Sequence, residues 1–252
     1  MSAQQENWDV YMAQYEQKPG SIVLDMGLKQ VAPIKSLPFV VITGVSFRSC
    51  DSIGMPTKRE FTNLYKIADS VKNLIDRLST NKLVGSFTYL CQRLDYFYVS
   101  DTTGIQQQLL NLYKIKFASY IPYINIREEK DWKSYLSFLY PNDATLEFMQ
   151  NQKVVTALLK GGDKLTIARP VDHWLYFKSE MDRNCFITYA TQKKFKIAGK
   201  EKTTDIKMPY KLHLLRTDKV DVASISKVTV ELRKQAKKCN GEYDGWETIV
   251  IK

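Results

Sequence analysis

From Phe61 onward apolar residues recur at three- and four-residue steps, through Leu64, Ile67, Ala68, Val71, Leu74, Ile75 and Leu78. That spacing puts them on one stripe and predicts a helix with one buried face. Just before it, Pro56-Thr57-Lys58-Arg59-Glu60 has the Thr-x-x-Glu spacing of a capping box. Residues 38–47 form a continuous Val- and Ile-rich run, the mark of a strand covered on both faces. Residues 83–91 and 96–100 read as strands, 104–117 as a helix and 120–126 as a further strand. At the start of the chain, two apolar runs flank Pro19-Gly20, which predicts a hairpin turning there.

The second half repeats the order. Asn142 or Asp143 caps a helix over residues 144–160 that Gly161-Gly162 ends. A strand over 169–178 follows, then a helix capped by Ser179 and running to about residue 193. Residues 195–198 and 210–216 read as strands, with 199–209 between them as a mobile loop. The last helix spans about 223–239, with Ile225, Val228, Leu232, Ala236 and Cys239 on its apolar stripe, and a strand over 247–251 closes the chain. Residues 131–140, rich in aromatics and ending at Pro141, form the connector, packed down by Trp132, Tyr135 and Phe138. After the opening hairpin, each half gives strand, helix, strand, strand, helix, strand. The fold class is α+β, with two tandem ferredoxin-like (βαββαβ) units over 1–140 and 141–252.

At 252 residues the chain is long enough for two cores. Its longest apolar stretch is too short to cross a bilayer, and its first residues lack the character of a secretory signal. The expected location is the cytoplasm. Cys50, Cys91, Cys185 and Cys239 show no paired spacing for zinc or a redox pair, and a reducing compartment predicts four free, mostly buried thiols. The net charge of +10 is unevenly spread, with 16 basic against 14 acidic residues through Ala144 and 21 against 13 beyond it. Such a field favours RNA or an acidic protein face.

Catalytic motifs are sparse. His173 and His213 are the two residues suited to general-base work, each within a predicted strand. Gly161-Gly162 lacks the Lys-Ser or Lys-Thr of a phosphate loop and reads as a helix end. The sequence supplies no catalytic set, no metal cluster and no cofactor fingerprint. Its most concrete binding feature is a basic ridge on the last helix, where Lys227, Lys234 and Lys238, flanked by Arg233 and Lys237, lie roughly opposite the apolar stripe. Lys193, Lys194, Lys196, Lys200 and Lys202 form a second basic cluster. Either suits backbone phosphates or an acidic partner.

The closing run, Asn240-Gly241-Glu242-Tyr243-Asp244-Gly245-Trp246-Glu247-Thr248, reads as a helix stop at Gly241, a tight Asp-Gly turn and the start of a strand, with Trp246 anchoring a core edge. Through Gly241, Tyr243, Asp244, Gly245 and Trp246, and more weakly through residues 171–177, the chain from about Leu146 resembles the regulator of ribonuclease E activity B family. The first 140 residues are similar to an uncharacterised domain often found before it, through Tyr11-Met12-Ala13, Lys18-Pro19, Val31-Ala32-Pro33 and Tyr140-Pro141-Asn142-Asp143. The resemblance implies a ferredoxin-like domain in a non-catalytic protein that binds an RNA-decay enzyme and damps its activity. Members so characterised are strongly acidic, whereas this second half is basic. The expected partner is a protein, an RNA-processing enzyme, with direct RNA binding through the ridge as the alternative and an enzyme centred on His173 or His213 as a third.

Overall fold

A computed structural model describes residues 6–252. The chain divides into two compact units, the first ending at Pro141 and the second beginning at Asn142.

The first unit opens with strands β1 (Trp8–Tyr15) and β2 (Lys18–Asp25), then β3 (Phe39–Ser46), helix α1 (Lys58–Leu78), β4 (Asn81–Tyr89), β5 (Gln92–Val99), helix α2 (Ile105–Lys116) and β6 (Ile121–Glu128). Its sheet runs β1-β2-β4-β5-β3-β6, antiparallel throughout. The part from β3 to β6 is a ferredoxin-like unit, and the hairpin extends it beyond β4. Val41, Val45, Phe97 and Val99 pack with Leu64, Ile67 and Val71 of α1 and Leu109 of α2. Gly44 is fixed by contact, since a Cβ there would lie 1.9 Å from the carbonyl oxygen of Arg93.

Three local expectations are corrected. The hairpin turns at Glu16 and Gln17, both with positive φ, while Pro19 lies inside β2 opposite Gln14. The pairing of Tyr15 with Lys18 leaves only two residues for the turn, and such a turn takes positive φ at both. The capping box does not form. Thr57 makes no side-chain cap and bonds Ser49 at 2.7 Å, while Glu60 accepts from the Tyr120 hydroxyl at 2.7 Å.

Nor is the aromatic stretch before Pro141 a connector. It holds a π-helical turn, Ser134–Leu139, and belongs to the first core on the sheet face away from α1 and α2. Trp132 stacks on Tyr98 at 4.0 Å and donates to Leu37 O at 3.0 Å. Tyr135 donates to Asp25 O at 2.7 Å, and Tyr11 to Leu139 O at 2.8 Å. Their rings fill the core only because these polar tips find carbonyls.

The second unit comprises helix α3 (Asp143–Lys160), β7 (Arg169–Phe177), α4 (Glu180–Gln192), β8 (Lys196–Lys202), β9 (Tyr210–Asp218), α5 (Val222–Lys238) and β10 (Gly241–Thr248). Its sheet order is β10-β7-β9-β8, all antiparallel, which is the ferredoxin-like order. Asn142 and Ser179 cap α3 and α4 as expected, accepting from the amides of Thr145 and Asp182. The region expected to be a mobile loop after Ala198 begins as part of β8.

The closing run also differs from its reading. Gly241 is not a left-handed helix stop; Asn240 takes that conformation, at φ 50°. Gly241 starts β10, where a Cβ would meet the Phe177 ring at 2.3 Å. Tyr243, Asp244, Gly245 and Trp246 lie in β10 rather than in a tight turn, and the register against β7 shifts between Tyr243 and Gly245. This is a β-bulge that Gly245, at φ 153°, accommodates. Both Tyr243 and Trp246 remain buried.

The four cysteines are not free thiols. Cys50 bridges Cys91 and Cys185 bridges Cys239, with Cα separations of 5.7 and 5.9 Å that lie within disulfide range. Spacing along the chain concealed both pairs, because each is made by the fold: one joins the loop after β3 to the β4–β5 turn, the other joins α4 to the end of α5.

Candidate functional site

Along β7, Val171, His173, Leu175 and Phe177 are buried. Alternation therefore sends Asp172, Trp174 and Tyr176 to the opposite face of the sheet. Residues directly opposite on neighbouring strands share a face. Leu215, His213 and Lys211 of β9 stand opposite Asp172, Trp174 and Tyr176, Glu242 and Glu247 of β10 flank Tyr176 and Asp172, and Lys196 and Glu201 of β8 flank Leu215 and Lys211.

At the centre of this face the Trp174 and His213 rings stack, with centroids 3.9 Å apart. His213 Nε2 lies 2.5 Å from Asp172 Oδ1, which fixes the imidazole, and the Lys211 ammonium stands 4.3 Å from the Trp174 ring centroid. Beside Tyr176 a groove of about 710 Å³ is lined by Lys178, Asp205, Lys207, Met208, Glu242 and Asp244. The face thus places four carboxylates, Asp172, Glu201, Glu242 and Glu247, against the ammonium groups of Lys196 and Lys211. In a chain of net charge +10 it is locally acidic and aromatic, a surface that attracts cationic and planar groups.

His173 belongs elsewhere. It is fully buried, Nδ1 lies 2.9 Å from the Tyr243 hydroxyl, and its ring packs edge-on against Phe195. Burial depresses its pKa to about 3, with Arg216 and His213 adding to the effect. It stays a neutral ring in the core, which removes it as a general base working on substrate. Of the two histidines, only His213 reaches the open face.

The basic ridge is divided. Arg233 is turned toward α3, where its Nε bonds Glu147 and its guanidinium lies 5.4 Å from the Tyr243 ring centroid. Lys237 pairs with Asp143 at the start of α3. Lys227, Lys234 and Lys238 are exposed, but Glu231 interrupts their stripe and binds Lys193 of the second cluster at 2.9 Å. The sequence could not reveal this, because the carboxylates that engage Arg233 and Lys237 lie some ninety residues upstream. The parity of Asp172, Trp174 and Tyr176 was legible; the register that sets Trp174 against His213 was not.

Residues 6–140, more than half of the chain, match a family of unknown function (DUF695). The chain belongs to that family. In this DUF695 protein, residues 148–248 match a second family, Regulator of ribonuclease activity B. That match runs from α3 to the end of β10 and takes in the acidic face, the divided ridge and the closing run. No curated protein matches the chain. A solved structure, described as an unknown protein from Galdieria sulphuraria, is similar at 12% identity over 84% of this chain and 98% of that one, with a TM-score of 0.25, a likeness too low to carry an argument. No helix among the described residues is long and apolar enough to cross a membrane, and no group of three or more His, Cys, Asp or Glu among them is placed to hold a metal ion.

Proposed function

We propose that the protein is a non-catalytic interaction protein that modulates an RNA-processing enzyme through the acidic, aromatic face of its second sheet. The match of residues 148–248 to the ribonuclease regulator family carries this reading. The placement of Trp174, His213 and Asp172 supports it, since stacked aromatics ringed by carboxylates suit a basic protein segment. The net positive charge of the second half does not oppose such a contact, because on this face the carboxylates of Asp172, Glu201, Glu242 and Glu247 outnumber the ammonium groups of Lys196 and Lys211.

The test is the rate of RNA cleavage by a purified endoribonuclease of the E type, with and without the full chain. A lowered rate that Trp174→Ala and Asp172→Asn restore supports the reading. An unchanged rate together with no binding to the nuclease overturns it.

A second reading, direct RNA binding, is favoured by one observation: Lys227, Lys234 and Lys238 share an exposed stripe, and among the described residues none of the three has an ion-pair partner. Binding of mixed-sequence RNA that weakens steeply with salt and is lost on charge reversal at Lys234 and Lys238 supports it. Affinity unchanged by that reversal removes it. Cytoplasmic action belongs to the leading reading, the two bridges of the structure weigh against it, and the thiol state of protein taken directly from cells tests it. A reducing compartment yields four reduced cysteines, an oxidising one two bridges.

A further inference from the structure

Strand β1 forms one edge of the first sheet. It is eight residues long, unbulged in its pairing with β2, free of proline, and carries a single charged residue, Asp9. Natural sheets guard their edges with short strands, proline, lysine or bulges, because an unguarded edge pairs with another strand. On the face of the sheet that bears α1, β1 exposes Trp8, Val10 and Met12, at 41%, 57% and 54%.

The direction of the unused backbone groups follows from the hairpin. Tyr15 and Lys18 close its two-residue turn as a hydrogen-bonded pair, so Asp9, Tyr11 and Ala13 also bond inward to β2, while Trp8, Val10, Met12 and Gln14 direct theirs outward. One outward donor is engaged locally: the Val10 amide donates to Asp9 Oδ1 at 2.9 Å.

We propose that two copies of this chain associate through β1, pairing antiparallel about a two-fold axis at Tyr11 and joining their first sheets into one. In that register Val10 of one copy stands opposite Met12 of the other, twice, and Trp8 opposite Gln14, so the outward groups meet as hydrogen-bonded pairs. Asp9 falls opposite Ala13, so no like charges face each other. A second copy fits better than an unrelated strand because the edge is nearly uncharged and this register sets Val10 against Met12 on both sides of the axis, apolar opposite apolar. The Asp9 carboxylate competes for the Val10 amide and moderates the association.

The test is the mass of the full chain in solution by light scattering and sedimentation, from about 1 to 200 µM. The expected result is a concentration-dependent dimer. Val10→Lys combined with Met12→Lys sets lysines directly opposite one another, and the dimer dissociation constant rises at least about tenfold. Met12→Pro removes an outward amide that β2 does not use and weakens the dimer without unfolding the hairpin, as circular dichroism verifies. Asp9→Ala strengthens it. Met181→Lys, on the exposed surface of α4, leaves it unchanged. A wild-type monomer throughout the range overturns the proposal, as does a dimer indifferent to the lysine pair and to Met12→Pro.

Discussion

The Trp246 indole N–H donates to the side-chain oxygen of Asn151 at 2.7 Å, joining the closing strand to α3. Asn151 is buried and its amide nitrogen donates in turn to Thr229 at 2.8 Å and Ser226 at 3.1 Å on α5. One side chain therefore satisfies polar groups from two elements. Asn151→Leu leaves the indole and the Thr229 hydroxyl without this partner, and destabilises the second unit by about 2 to 4 kcal/mol. Urea unfolding followed by Trp fluorescence measures the loss. Trp246→Phe, which removes the donor as well as its bond, costs less in the background of Asn151→Leu than in the wild type.

Arg169 and Asp163 form a buried ion pair. Asp163 also accepts from the amides of Leu165 and Ile251, and Arg169 donates to Ile249 O at 3.1 Å. These hydrogen bonds, that to Arg169 foremost, hold the Asp163 carboxyl well below the ordinary carboxylate range. Its contribution to stability is therefore complete above that range and lost progressively as the pH falls below it toward the depressed folded value. Asp163→Asn lowers the urea midpoint at pH 7, because it leaves the Arg169 charge buried without its counter-ion. It also flattens the acid limb of the stability curve.

His173 gives a second, separable acid dependence. Its folded pKa of about 3 lies below the ordinary value of 6.5, so the unfolded chain takes up the proton first. The neutral ring's contribution is complete above about pH 6.5 and declines as the pH falls toward 3, by at most about 1.4 kcal/mol per pH unit. His173→Leu removes this slope between pH 6 and 4. Urea midpoints at half-unit pH steps check it.

Two bridges and no free thiol among the described cysteines predict that the oxidised protein, denatured without reductant, gives no reaction with a thiol reagent and four equivalents after reduction. Replacing Cys50 and Cys91 together by Ala costs about 2 to 4 kcal/mol, measured as a loss of stability in the first unit. Peptide mapping by mass spectrometry checks the pairing.

At the first hairpin, Glu16 and Gln17 hold a conformation that suits Asn and Gly better. Glu16→Asn with Gln17→Gly raises stability by on the order of 1 kcal/mol. Thermal unfolding detects it.

Much of the fold was legible. The stripes of α1 and α5 and the Val- and Ile-rich β3 follow from burial of one helix face or two strand faces, and their order gave both ferredoxin-like units. Local punctuation misled where long-range pairing set the geometry. Pro19-Gly20 looked like the turn, but register put the turn at Glu16 and Gln17. Thr57 and Glu60 had capping-box spacing, yet each found a better partner in Ser49 and Tyr120. The Asp-Gly of the closing run became a bulge because β10 pairs with β7 along its length. The candidate face was not read from the sequence: alternation within β7 sets Trp174 and Tyr176 on one side, but His213 joins them through a register that no local pattern encodes.

Each bridge closes within its own half, Cys50 with Cys91 before Pro141 and Cys185 with Cys239 after it. No sulfur bond ties one half to the other. A protease that nicks the chain at the boundary therefore produces two fragments that part in denaturant with no reducing agent, each still carrying its own closed loop. The two halves can also be oxidised or reduced independently, so the chain has four covalent states rather than two.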